Sequence, residues 1–298
     1  MAACAIGIDI GGTRTKVARV DATGAVLRTV TLPTFKVGDP EPFLGELAGA
    51  VSGLLADGPA GGLGLSLNGM LSEDLRSSIF NPNSPALAGI DFADWLAQFG
   101  LPYGIDEDLN APTVAEYAFG EHAGSARLMT ASIGTGLGAG LVVGGQVLRI
   151  FGGTLGDSGH IILQPDGPQC TAGCRGCAEA LVSVAGVERE ARRRGRDEPA
   201  HAVIAAARGG EAWAVEVIEA VGMWLGQWLA SIAPILFPQH IVLCGGVAEA
   251  GEILLRTGEA RFRRLAGPEY THCTLSISRF GGQAGVIGAA APFLMGAR

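Results

Sequence analysis

Ile8-Asp9-Ile10-Gly11-Gly12-Thr13-Arg14-Thr15-Lys16 runs along an apolar strand, turns on adjacent glycines and enters a second strand. Ala131-Ser132-Ile133-Gly134-Thr135-Gly136-Leu137-Gly138 repeats that pattern later in the chain. Apolar alternation extends each into a series of strands, at 5–10, 16–20 and 25–31 in the first case and at 128–133, 140–143 and 146–150 in the second. Working outward, helices are expected over 41–57, 92–99 and 110–120, the last with Asn110 as N-cap and Pro112 in its first turn. Strands are expected over 62–67 and 103–106. The second series continues with helices dominating 179–237, strands at 241–244 and 274–278, and a final helix over 284–294. Strands followed by helices, twice over, imply an α/β chain of two similar halves with a ligand cleft between them.

The 298 residues agree with two domains at roughly 150 residues each. Apolar residues make up 48% and charged ones 17%, enough for a large core. The 47 glycines gather in short turns, as loops that approach a ligand closely require. A net charge of −8 argues against nucleic acid as a partner. The basic run 189–196 contains Glu190 and reads as the solvated face of a helix. The start of the chain acquires Asp9 too early for a signal peptide. The longest apolar stretch, 212–237, carries Glu216, Glu219, Gln227 and Pro234 and reads as a buried helix, not a membrane span. A cytoplasmic protein is therefore expected. Three of the six cysteines fall within eight residues, which points to a metal site instead of disulfides.

Four motifs carry chemistry. In the first, Gly11 and Gly12 let backbone N–H groups converge on an anion, Thr13 adds a donor, and Asp9 can hold a magnesium ion through water. A strand, not a helix, follows at Lys16, so this is neither a P-loop nor a dinucleotide fingerprint. In the second, Gly134, Thr135 and Gly136 repeat the arrangement. Gly245-Gly246, after the strand at 241–244, could admit adenosine close to backbone. In the third, Asp106-Glu107-Asp108-Leu109-Asn110 places three carboxylates between a strand and a helix, where one can orient a hydroxyl and take its proton. In the fourth, His160 followed by Cys170, Cys174 and Cys177 supplies the tetrahedral ligand set of a closed, structural zinc site.

At these motifs the chain resembles the ROK group of sugar kinases, glucokinase-like members of the actin-like ATPase superfamily. The resemblance runs from Asp9 to the segment 281–290, and the family's D-x-G-G-T-x-x-K is matched in full. It implies an α/β fold of two actin-like (ribonuclease H-like) lobes around a central cleft. The small N-terminal lobe is then 1–112, with the final helix, about 283–298, packed on it, and the large lobe with the zinc loop is 113–282. It also implies that Asp108 is the catalytic base and that Asn83, Glu107, Asp108, Asp157, His160 and Glu179 meet the sugar. ATP would lie against Asp9, Gly11, Gly12, Thr13, Lys16, Gly134, Thr135, Gly136, Gly245 and Gly246. Three positions depart from the family pattern. Glu107 replaces an asparagine, Asp157 replaces a glutamate, and the cysteines read C-x3-C-x2-C instead of C-x-C-x4-C.

The function implied is transfer of the terminal phosphoryl group of ATP to a hexose hydroxyl, the 6-hydroxyl of glucose or a related sugar, with Mg2+ as cofactor and Zn2+ as a structural ion. The alternatives are an N-acetylhexosamine kinase and a catalytically silent sugar-binding regulator. Family repressors carry a DNA-binding domain ahead of the kinase-like lobes, and Asp9 arrives too early to leave room for one. The long helix across 215–237 could supply a homodimer surface.

Overall fold

The computed structural model describes residues 4–81 and 83–295. Pro82 of the Asn81-Pro82-Asn83 stretch, the first three residues of the start, and 296–298 of the expected final helix lie outside the described residues. The chain divides into two compact units. One comprises residues up to Gly124, Gly145–Gly156 and the chain from Gln283 onward; the other is Ser125–Gly144 and Asp157–Gly282. The expected boundary at 112 lies inside the first unit, which also takes back the short segment 145–156.

The first unit starts with three antiparallel strands, β1 (Cys4–Ile10), β2 (Arg14–Asp21) and β3 (Val26–Pro33), and then α1 (Glu41–Leu55). It continues with β4 (Leu63–Leu67), the short ribbon β5 (Met70–Leu71) and β6 (Ser78–Phe80), α2 (Phe92–Ala97), β7 (Tyr103–Glu107) and α3 (Asn110–Phe119). The sheet order is β3-β2-β1-β4-β7, with β4 and β7 parallel to β1 and to each other. β4 is buried throughout and β1 nearly so, hence their continuous apolar runs. Side chains alternate across a sheet, so Ile6, Ile8, Ile10, Leu63, Leu65 and Leu67 share one face, where they pack with Phe43, Leu47, Val51 and Leu54 of α1. The other face carries a row of glycines, with Gly7, Gly64 and Gly104 in register, followed by the polar row Asp9, Ser66 and Asp106.

In the second unit β8 (Arg127–Ile133) and β9 (Leu137–Val143) repeat the first two strands of the opening meander; the two-residue β10 (Gln146–Val147) that follows them in the chain falls in the segment assigned to the first unit. Four helices follow, α4 (Ala178–Val182), α5 (Val184–Arg193), α6 (Ala200–Arg208) and α7 (Ala212–Leu236). Then come β11 (His240–Cys244), α8 (Glu252–Leu265) and β12 (Thr274–Ile277). Order β9-β8-β11-β12, with β8 and β9 antiparallel and β11 parallel to β8 and β12, repeats the order β2-β1-β4-β7 of the first sheet. α7 and α8 approach closely because Gly222 and Gly226 offer no side chains; a Cβ at Gly226 would lie 2.3 Å from the Gly258 carbonyl oxygen. No helix among the described residues is long and apolar enough to cross a membrane.

The last helix, α9 (Ala284–Ala290), belongs to the first unit and lies on its glycine row. A Cβ at Gly7 would stand 1.9 Å from the Val286 carbonyl oxygen, and one at Gly64 would stand 1.8 Å from that of Ala289. Only glycine lets the helix backbone sit this close to the sheet.

Two expected elements differ. Asn110 is the first residue of α3 and not its N-cap, which is Leu109; its amide is drawn away to Asp106 Oδ1 and the Gly153 carbonyl. The strand expected over 146–150 stops at Val147, because Arg149 turns toward Asp106 and Gly152 and Gly153 adopt positive φ.

Candidate active site

In the first unit the loop Gly11-Gly12-Thr13 is the tight connection between β1 and β2, closed by the Gly11 N–H donating to the Arg14 carbonyl. The side chain of Asn83 stands beside it, its Cβ 3.2 Å from where a Gly12 Cβ would be. Asn81 holds the turn that presents Asn83, donating to the Asn68 carbonyl and accepting from the Ser84 N–H.

Asp9 faces Lys16 across the β1–β2 pair. Burial, and then the neighbouring Asp108, push its carboxyl up to about 6, while Lys16 and the Ser66 hydroxyl pull the other way. Gly285 makes room for it, since a Cβ there would lie 2.4 Å from Asp9 Oδ2. A desolvated carboxyl repelled by a second acid is suited to a cation beside it, which would restore the charged form.

The three consecutive acids at the end of β7 have three different environments. Asp106 is gripped by Arg149, whose Nε donates to Oδ1 at 3.2 Å and whose terminal nitrogen bonds Oδ2. It also accepts from the Asn110 amide and the Glu107 N–H. Glu107 points to the apolar face of the sheet and is 4% exposed. Its Oε2 accepts from the Leu109 N–H, and burial with the neighbouring Asp108 lifts it well above the usual carboxylate range. Asp108 is fixed by its N–H to the Leu67 carbonyl and is likewise raised by burial.

In the second unit the loop Gly134-Thr135-Gly136 joins β8 to β9 as the first glycine loop joins β1 to β2. Glu179 at the start of α4 accepts the Leu137 N–H at 3.1 Å and fills the space where a Gly136 side chain would be. The Val184 N–H ties the same loop through the Gly134 carbonyl. Gly245 has φ +88° and lies against Ile133, where any Cβ would come 2.4 Å from a carbonyl oxygen. Gly246 has open space around it. Asp157 is exposed, with its carboxylate 3.7 Å from His160 Nε2.

His160, Cys170, Cys174 and Cys177 come together with their ligand atoms all within 4.8 Å of one another. His160 Nδ1 lies 3.8 and 3.5 Å from the sulfurs of Cys170 and Cys174, which are 3.1 Å apart. Zinc bonds of about 2.3 Å to sulfur and 2.0 Å to nitrogen put tetrahedral ligand atoms about 3.5–3.8 Å apart, which matches the two contacts to His160, while the Cys170–Cys174 pair stands closer than a bound ion would hold it. Cys177 is also the N-cap of α4, accepting from the Ala180 N–H, so the cluster sets the helix that presents Glu179.

The model of the ROK family matches residues 5–295. This chain belongs to the ROK family. ROK membership accounts for the duplicated topology, which is the actin-like α/β fold. A glucokinase of Streptomyces coelicolor is 29% identical over 310 aligned positions, covering 96% of each chain. An N-acetylmannosamine kinase of Escherichia fergusonii is also 29% identical, again over 96% of each. The crystal structure of a ROK family glucokinase from Streptomyces griseus in complex with glucose and AMPPNP superposes with a TM-score of 0.84 at 28% identity, covering 96% of this chain and 98% of that one. Among the residues that meet the three acids at the end of β7 in the ROK chain, Arg149, bound to Asp106, is one that the sequence does not single out. No local signal marks it, because its partner Asp106 is more than forty positions away.

Proposed function

We propose that this chain is an ATP-dependent hexose kinase, transferring the γ-phosphoryl group to a hexose hydroxyl. The observation that carries the reading is Asp108. It is a half-buried carboxyl with raised proton affinity, held just after β7 in the same unit as the Gly11-Gly12-Thr13 loop, in a chain whose ROK relatives include glucokinases. Phosphoryl transfer asks the protein for positioning and charge stabilisation more than for covalent chemistry. Asp108 orients the attacking hydroxyl and takes its proton. Asn83, Asp157, His160 and Glu179 are assigned to the other sugar hydroxyls. Asp9, Lys16, both glycine loops and Gly245-Gly246 are assigned to the nucleotide.

Mg2+, carried through water by Asp9, would neutralise the developing charge on the phosphates. Zn2+ held by His160, Cys170, Cys174 and Cys177 has no open position and would shape the loop bearing Glu179. The proposed partners are the sugar and ATP, with a second copy of the chain at the exposed parts of α7. A cytoplasmic setting agrees with cysteines that are all free.

Glucose or a related unmodified hexose is the favoured acceptor. The N-acetylhexosamine alternative is retained because such a kinase is equally identical to this chain. ADP release across glucose, mannose, N-acetylglucosamine and N-acetylmannosamine decides between them. Asp108→Asn should lose a factor on the order of 100 or more in turnover while still binding sugar. Near-normal turnover in that variant would move the base elsewhere. Sugar binding without ADP release in the wild type would make the chain a silent sensor.

A further inference from the structure

Asp106 has both carboxylate oxygens occupied by the protein itself. Its Oδ1 accepts from the Glu107 N–H at 2.9 Å, the Asn110 amide at 2.7 Å and Arg149 Nε at 3.2 Å, and its Oδ2 accepts from a terminal nitrogen of Arg149. A carboxylate offers about four lone-pair sites, so four donors leave it nothing with which to hold a substrate hydroxyl. The guanidinium meets both oxygens at once, the fork geometry that fixes direction as well as distance. The Arg149 and Asp106 side chains are 34% and 22% exposed, so the pair is better sheltered than a surface ion pair.

The same network fixes the segment that carries Arg149. The Asn110 amide nitrogen also donates to the Gly153 carbonyl at 2.6 Å. The Gly152 carbonyl accepts the Leu71 N–H at 2.9 Å, and the Ile150 N–H closes the turn on the Thr154 carbonyl. Gly152 and Gly153 have φ of +58° and +84°, and a Cβ on Gly153 would come 3.4 Å from the Glu107 Cβ. Residues 149–153 are thereby stitched to the end of β7 and the start of α3, on both sides of position 108. The Asp108 backbone is held by its N–H to the Leu67 carbonyl, and the network grips the side chains two positions before and two positions after it.

We propose that Arg149 is a positioning residue for the base, acting through Asp106: it ties residues 149–153 to the end of β7 and keeps the backbone on both sides of Asp108 where its carboxylate meets the hydroxyl. Arg149 touches no substrate in this role. The kinetic consequence rests on the hexose kinase reading; the tie itself does not. Displacing a reacting group by about 1 Å costs on the order of a hundredfold in rate. Sugar affinity is assigned to Asn83, Asp157, His160 and Glu179, outside the network, so kcat should fall by more than KM rises.

Arg149→Met keeps the apolar stem and removes the donors. With glucose its kcat should fall roughly 10- to 100-fold, with KM for the sugar within about threefold of the wild type. Arg149→Lys keeps the charge and a single point of donation, and should recover part of the loss. Arg149→Met added to Asp106→Asn should cost nothing beyond Asp106→Asn alone, because one residue acts through the other. Losses that multiply in the double variant overturn the proposal and place Arg149 on the substrate. So does an Arg149→Met variant with unchanged kcat, or one in which KM alone rises. Hydrogen exchange in the free protein supplies a readout that needs no substrate. The amides of Leu71, Glu107 and Ile150, each bonded within this network, should exchange about tenfold faster or more in Arg149→Met, while that of Ile6 in β1 stays as in the wild type. Equal acceleration at Ile6 marks a general loss of stability and overturns the positioning role. Should Arg149→Met not fold, Asp106→Asn carries the test, and wild-type kcat with wild-type exchange in that variant overturns the proposal. A wild type that releases no ADP from any sugar, with the exchange pattern as expected, removes the kinase reading and leaves the tie.

Discussion

Replacing Asp9 by Asn should stabilise the protein when neither magnesium nor nucleotide is present. The folded chain holds the Asp9 proton up to about 6, against 3.8 for an unburied aspartate. The folded state therefore binds this proton more tightly than the unfolded state. Its stabilising contribution is complete below about pH 4, declines as the pH rises through 6, and is gone above that. Two pKa units correspond to about 3 kcal/mol. Asp9 keeps some contact with water, so about 2 kcal/mol is the working figure. Asparagine preserves the shape and can still bond Ser66 while removing the charge. In urea titrations at about pH 7.5 the variant should exceed the wild type by this amount, and the gap should close near pH 4. The comparison uses the transition of the first unit, since two units need not unfold together. With magnesium and ATP added the wild type should gain stability that the variant does not, and ADP release should be lost in the variant, the exchange of stability for function expected at such sites. A variant no more stable than the wild type at neutral pH, or a gap that is the same at both pH values, would refute the account of Asp9.

Elemental analysis of protein purified without added metal should find one zinc per chain; Cys174→Ser should lower that content, and chelation should weaken sugar affinity through the α4 start at Glu179. Absence of zinc in fresh, reduced protein would count against the site. Gly64→Ala should destabilise by about 2–3 kcal/mol, because a Cβ 1.8 Å from a backbone oxygen forces α9 to move by more than 1 Å. Gly49→Ala, in an open position on α1, should instead stabilise by about 0.5–1 kcal/mol, and thermal melts of the pair distinguish close approach from a general intolerance of alanine.

Much of this is legible in the sequence because it is written locally. The glycine turns after Ile10 and Ile133, the buried strand at 63–67 and the clustering of the cysteines depend on near neighbours, and their repetition gives the doubled topology. What is not legible is set by partners far along the chain. Nothing near Arg149 announces Asp106, and nothing near Asn110 says that its amide will bond Gly153 instead of capping a helix. The β5–β6 ribbon is too short for periodicity to register. The apolar pattern leaves α8 unassigned, although Glu252 opens it and Arg263 and Arg264 close it, as the helix dipole favours. In the sequence Glu107 is known only by its position in a motif, and the register of β7 against β4 is what turns it to the apolar face.

The placement of α9 on Gly7 and Gly64 also constrains how the molecule comes into being. The opening strands are made first, yet the helix that covers their glycine row is encoded nearly 280 residues later, with the whole second unit made in between. During synthesis that face of the β1–β4 sheet stays uncovered, while Ser125–Gly144 and Asp157–Gly282 have all they need to collapse on themselves. Closing so long a loop is slow compared with local folding. The inserted unit should therefore become resistant to protease on the ribosome before the segment that precedes it, reversing the usual order in which the start of a chain folds first.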